Sequence, residues 1–140
     1  MIIRFSKLWC LLLPTLFVFF SCEKNINIDL QTQTPKMVVE ATIENGKPPL
    51  VLLSTSLDFY SEITPEILES SFVHGAHVEI GDGTKTFTLS EYTVDSGGVK
   101  ISYYSIDTTN PGNAIVGKLN SAYSLKITAN GQEYTSTTTI

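Results

Sequence analysis

From Phe72 onward the chain alternates apolar and polar residues with a period of two, and turn residues cut the alternation into short pieces. Ala76, Val78 and Ile80 alternate with His77 and Glu79; Gly81-Asp82-Gly83 turns, and Phe87 and Leu89 continue on the return. Successive side chains of a strand point to opposite faces, so this spacing asks for sheets with one buried face. Val99, Ile101 and Tyr103 form another set after Ser96-Gly97-Gly98, and Tyr123, Leu125 and Ile127 another between Ser124, Lys126 and Thr128. Asn130-Gly131 is the strongest hairpin signal, because both central residues of a type I′ turn need positive φ. Upstream, Met37, Val39, Ala41 and Ile43 share a face, Asn45-Gly46 turns, and Leu50 to Ser56 is a second β-rich run. Six or seven short strands with close turns predict an antiparallel β-sandwich over residues 36–140. Its core is expected to hold Val39, Ala41, Ala76, Val78, Ile80, Phe87, Leu89, Ile101, Tyr123, Leu125 and Ile127.

One segment breaks the pattern. Thr64-Pro65-Glu66 reads as an N-cap, a proline at the first helical position and an acid favoured by the helix dipole. Ile67-Leu68-Glu69 completes a turn or two, too short for a crossover helix of an α/β fold, so residues 57–71 are expected to be a surface insertion. Tyr123 opens a late strand with Leu125 and Ile127 in phase and Gly117 upstream, which fits the tyrosine that pins a sandwich corner through its hydroxyl. The sequence stops at Thr137-Thr138-Thr139-Ile140, still in strand pattern. That ending suggests a fragment, with a terminal strand tied into a sheet as the alternative.

The N-terminus is of another kind. Arg4 and Lys7 precede a mostly apolar run of 13 residues, Leu8 to Phe20, and Ser21 stands directly before Cys22. This is the layout of a secretory signal with a lipobox-like end, in which residues 1–21 are removed and the Cys22 sulfur carries diacylglycerol. A transmembrane anchor fits less well. Thirteen residues span about 20 Å as a helix against a hydrocarbon core of about 30 Å, and Pro14 interrupts them. A cleaved signal without lipid is the other alternative, since Phe19 makes a looser lipobox than leucine. Residues 22–35 are polar and read as a tether; Ile26, Ile28 and Leu30 alternate within it, and Pro35 stops any extension.

Removing the signal takes Arg4 and Lys7 away, leaving seven lysines against fourteen acids and a net charge of −7. No cationic cluster survives, which argues against nucleic acid and against docking on anionic lipid. Trp9 and Cys10 leave too, so Cys22 becomes the sole cysteine and no disulfide can form within one chain. The remaining 119 residues must stand on packing, and a domain of that size buries roughly two-thirds of its unfolded surface.

Few residues invite chemistry. His74 and His77 are the only histidines, near Glu79 and Asp82. On a regular strand positions 74 and 77 point to opposite faces, so only His77 and Glu79 share one, whereas a metal site wants three or four convergent ligands. No metal site, cofactor site or catalytic residue is expected. No serine stands in a Gly-x-Ser-x-Gly elbow, and no P-loop, dinucleotide or calcium-loop motif is present. Tyr103-Tyr104 places one ring outward, a stacking surface for a sugar or an ordinary strand former.

The order of these features carries a resemblance. Cys22-Glu23-Lys24 follows the lipobox, then Lys36-Met37-Val38-Val39-Glu40-Ala41-Thr42-Ile43 with Gly46. Gly75-Ala76-His77-Val78-Glu79-Ile80-Gly81-Asp82-Gly83 and Tyr123-Ser124-Leu125-Lys126-Ile127 come next. Together they resemble the N-terminal part of the longer Bacteroidetes lipoproteins of domain-of-unknown-function family 4249. The resemblance implies an outer-membrane lipoprotein with an immunoglobulin-like region, often encoded beside TonB-dependent receptors, and it carries over no catalytic residue. The expected function is a lipid-anchored accessory or binding module beside such an uptake receptor. The alternative is an anchor or accessory subunit of surface fimbriae, also lipoproteins built from β-sandwiches, with the Thr-rich last strand open to strand addition. The lipid's membrane face, periplasmic or external, stays open.

Overall fold

The computed structural model describes residues 34–58, 61–107 and 109–140. The signal, Cys22 and the tether as far as residue 33 lie outside them. Seven strands follow one another: β1 (Met37–Thr42), β2 (Leu50–Thr55), β3 (His77–Gly81), β4 (Thr86–Ser96), β5 (Val99–Ser105), β6 (Ala122–Ala129) and β7 (Gln132–Thr139). A helix, α1 (Pro65–Ser71), stands between β2 and β3, and a 3-10 turn, Pro111–Asn113, between β5 and β6.

The strands form one curled antiparallel sheet in the order β1-β2-β5-β4-β3-β6-β7. That is the strand order of a constant-type immunoglobulin sandwich, the first, second, fifth and fourth strands in one sheet and the third, sixth and seventh in the other. β4 joins the halves. Its start pairs with β3 from Thr86 to Leu89, and the rest pairs with β5 from Ser90 to Ser96. An 11-residue strand twists far enough along its length to serve both layers. Two hairpins close on two-residue turns, Gly97-Gly98 and Asn130-Gly131, and all four residues have positive φ. The primed turn foreseen at Asn130-Gly131 is there, and both turns match the strand twist.

The core lies between the layers. Val78, Ile80, Phe87, Leu89, Tyr123 and Ile127 are buried as their spacing predicts, joined by Val51, Leu53, Val73, Tyr104, Ile106, Ile115 and Ala129. Ala76 and Leu125 are partly buried against this cluster. β5 corrects the prediction. Its core face is Ser102 and Tyr104, continued by Ile106 just beyond the strand, while Ile101 and Tyr103 face outward. Ile101 stands opposite Val94, and the Tyr103 ring stacks on Tyr92 with centroids 5.7 Å apart. β5 is apolar on both faces, so periodicity chose the wrong phase. Ser102 is tolerated inside because its hydroxyl bonds that of Thr93 at 3.0 Å.

β1 supplies the second correction. Val39 and Ala41 pair with the buried Leu53 and Val51, on the inward side with Met37 and Ile43. Both are nevertheless exposed, Val39 to 38%. Among the described residues β1 is an edge strand, paired with β2 alone.

α1 begins as read. The Thr64 hydroxyl accepts from Ile67 N–H, and Pro65 takes the first position. The helix lies against β5, where Glu69 Oε1 accepts from Lys100 N–H at 2.8 Å and Ser71 is buried.

Candidate functional site

A groove opens between the two ends of the sheet, with β1 on one bank and β7 on the other. Ala41 and Ile43 come from β1 and the residue after it, Val51 from β2, Ile80 from β3, and Tyr123 and Leu125 from β6. Ser136 and Thr138 of β7 and Thr42 give it a hydroxyl rim. The space is about 320 Å³. Ligand sites run from about 300 to 1,000 Å³, so the groove has room for one or two apolar side chains rather than a large metabolite.

Its floor is fixed from below. The Tyr123 hydroxyl accepts from Lys118 N–H at 2.9 Å, the corner arrangement expected of this tyrosine, with β6 in the place of the sixth immunoglobulin strand. The loop after β1 is stitched to the same corner: Gly46 N–H donates to Gly117 O at 2.8 Å and Gly117 N–H to Lys47 O at 2.9 Å. A Cβ on Gly117 would stand 2.2 Å from Glu44 O, so only glycine lets the two backbones approach. These contacts close one end of the groove. Ile140 N–H, bonded to Ser121 O at 3.2 Å, ties down the end of β7 there.

The histidines lie elsewhere. His74 precedes β3, with Nδ1 2.5 Å from Glu91 Oε1; the other Glu91 oxygen accepts from Gly75 N–H at 2.8 Å. Tyr104 runs beneath this pair, its hydroxyl 2.9 Å from Val73 O, 3.0 Å from Ala76 N and 3.2 Å from Glu91 Oε2. Partial burial raises the Glu91 pKa, but the bonds from Gly75, His74 and Tyr104 outweigh it and hold the carboxyl below its ordinary range. Burial is also the main reason the Tyr104 phenol is pushed up. Two neighbouring hydroxyl and carboxyl groups thus clamp the backbone entering β3. Sequence reasoning missed this node, because its partners are 13 to 31 residues apart in the chain.

His77 Nε2 sits 3.3 Å from Glu79 Oε1 on the outer face of β3, the shared face expected of them. His74 and His77 do not converge. Among the described residues, no three of His, Cys, Asp and Glu are grouped to hold a metal. A second cleft of about 450 Å³ lies between α1 and the β4–β5 ribbon, lined by Glu66, Glu69, Ser70, His74, Thr93, Lys100 and Ser102. Here Glu69 is already engaged with the Lys100 N–H and His74 with Glu91, whereas the groove is lined chiefly by aliphatic side chains, which makes the groove the better candidate. Cys22 lies outside the described residues.

With fold, corner and groove in place, the comparison with known families is decisive. The chain belongs to the family described as Domain of unknown function (DUF4249). The family model matches residues 23–140, from the residue after Cys22. No curated protein and no solved structure matches. DUF4249 membership carries no activity with it, so the function rests on the site itself.

Proposed function

We propose that this DUF4249 chain is a lipid-anchored binding module of a bacterial outer membrane, an accessory to a neighbouring TonB-dependent uptake receptor. The observation that carries the reading is the groove between β1 and β7. It is mostly apolar within, and its rim carries hydroxyls together with Glu44. Exposed apolar clefts rimmed by polar residues mark interaction sites. The acidic character of the mature domain and the signal-like segment before Cys22 support an envelope partner over nucleic acid. The partner is expected to insert one or two aliphatic side chains beside Ala41. The Ala41→Arg variant fills the groove from an exposed position and leaves the core intact. Detergent extracts of the native organism should then yield at least about tenfold less co-purified receptor than the parent, a loss of about 1.4 kcal/mol. Equal recovery would refute the reading. The fimbrial alternative draws on a different feature, the exposed β7 strand, and predicts co-purification with pilus subunits.

A further inference from the structure

Among the described residues β7 is an eight-residue edge strand, and each of its residues except Tyr134 is exposed. Its pairing with β6 runs unbroken from Ala129–Gln132 to Ala122–Thr139, without a bulge. Sheet edges are normally blunted by shortness, proline, bulges or central charges. β7 has none of these between Glu133 and Ile140. The other edge is defended: β1 follows Pro35 and Lys36 and carries Glu40 in its middle, so two β1 strands pairing about their centres would bring like charges together.

We propose that β7 is a self-association edge, two copies of this chain pairing antiparallel, β7 to β7, about a twofold axis through Ser136. The two-residue turn makes Ala129–Gln132 a hydrogen-bonded pair, so Gln132, Tyr134, Ser136 and Thr138 turn their backbone groups to β6. Glu133, Thr135, Thr137 and Thr139 then turn theirs outward. Pairing about Ser136 sets each of these outward residues against another: Thr135 against Thr137 of the copy, and Glu133 against Thr139. The two Glu133 carboxylates fall about 20 Å apart at 3.4 Å per residue, and each already has Lys126 as its partner. The charge pattern therefore favours the strand's own copy, because threonine meets threonine in the centre and the lone acids are kept apart. A strand-only contact falls below the about 1,200 Å² of a standard interface, so the dimer is weak in solution and gains from tethering both copies to one membrane. This inference does not depend on the receptor, although β7 is also one bank of the groove, with Ser136 and Thr138 on its rim.

Disulfide trapping on the full chain in its own membranes tests it. At the twofold axis Ser136 faces its copy as a non-hydrogen-bonded pair, with Cα atoms about 4.5 Å apart, inside the range a disulfide accepts. Ser136→Cys should oxidise to a covalent dimer several-fold above the parent chain, which controls for Cys10 and Cys22. Glu133→Cys should not exceed the parent. Adding Thr137→Pro to Ser136→Cys removes an outward N–H that β6 does not use, and should abolish the dimer with β6–β7 intact. Thr137→Lys serves the same purpose should the proline variant fail to fold. Trapping at the parent's level from Ser136→Cys, or equal trapping from Glu133→Cys, would overturn the proposal.

Discussion

Glu44 O presses on the position where Gly117 lacks a side chain, and that contact says why one glycine matters more than others in this chain. Gly117→Ala must push the 44–47 loop from the corner, an overpacking cost of about 1–3 kcal/mol. Gly112→Ala meets only Asn110 Oδ1 at 3.4 Å and should change the urea midpoint little. Tyr123→Phe leaves Lys118 N–H without its partner and should cost about 1–2 kcal/mol, with the aromatic packing retained. Asp82 contributes to the pH dependence of stability. Its carboxylate accepts from the Thr84 hydroxyl, Thr84 N–H and Lys85 N–H, bonds that lower its pKa from 3.8 to about 2. The folded pKa is the lower one, so between these values the unfolded chain binds more protons and stability rises with pH. The contribution is complete above about pH 4 and is lost as pH falls through about 2. Urea midpoints of the parent should therefore fall more steeply between pH 5 and 2 than those of Asp82→Asn. Parallel curves would show that the turn is held by something other than this carboxylate.

Among the elements, β3 and β6 were legible because each is central and apolar on one face only. Val78 is 0% exposed, while Glu79 beside it pairs with His77 at the surface. Val78→Asp places an unpaired charge in the core and should leave the domain unfolded; Glu79→Ala should shift the melting midpoint by about a degree or less. Equal effects would mean the facing is wrong. β5 was not legible, since Ile101 and Tyr103 on one face and Tyr104 and Ile106 on the other balance each other, and only the partners decide. Ile106→Ala should thus cost about 2–5 kcal/mol and Ile101→Ala clearly less. β1 was read in the right phase and with the wrong burial. Alternation reports which side a residue faces, while cover comes from neighbours distant in sequence, and β1 has a neighbour on one edge only. The groove was invisible for the same reason: its banks are the first and last strands, some 95 residues apart, and no local pattern says they approach. The corner at Tyr123 was visible because it is local, a bond between residues five apart.

For the whole molecule the deciding question is how a small acidic sandwich is held where a partner can find it. Its packing needs no disulfide, because a core from Val51 to Ala129 runs through all the central strands. No described helix is long and apolar enough to cross a membrane. Under the proposed function the anchor is then the cysteine itself, with a small residue before it, an apolar run of signal length upstream and a polar tether downstream. One acyl chain holds a protein marginally, at about 0.8 kcal/mol per buried CH₂, whereas two or three make release negligible. Attachment should accordingly depend on one atom and not on the fold. Cys22→Ala should move the chain from the detergent phase into the soluble periplasmic fraction, or leave it uncleaved in the inner membrane, with the melting midpoint of the domain unchanged. Globomycin should make the unsubstituted precursor accumulate. Mass spectrometry should find a diacylated or triacylated Cys22 at the mature N-terminus, and an unmodified N-terminus at any other residue would remove the anchor from the proposal.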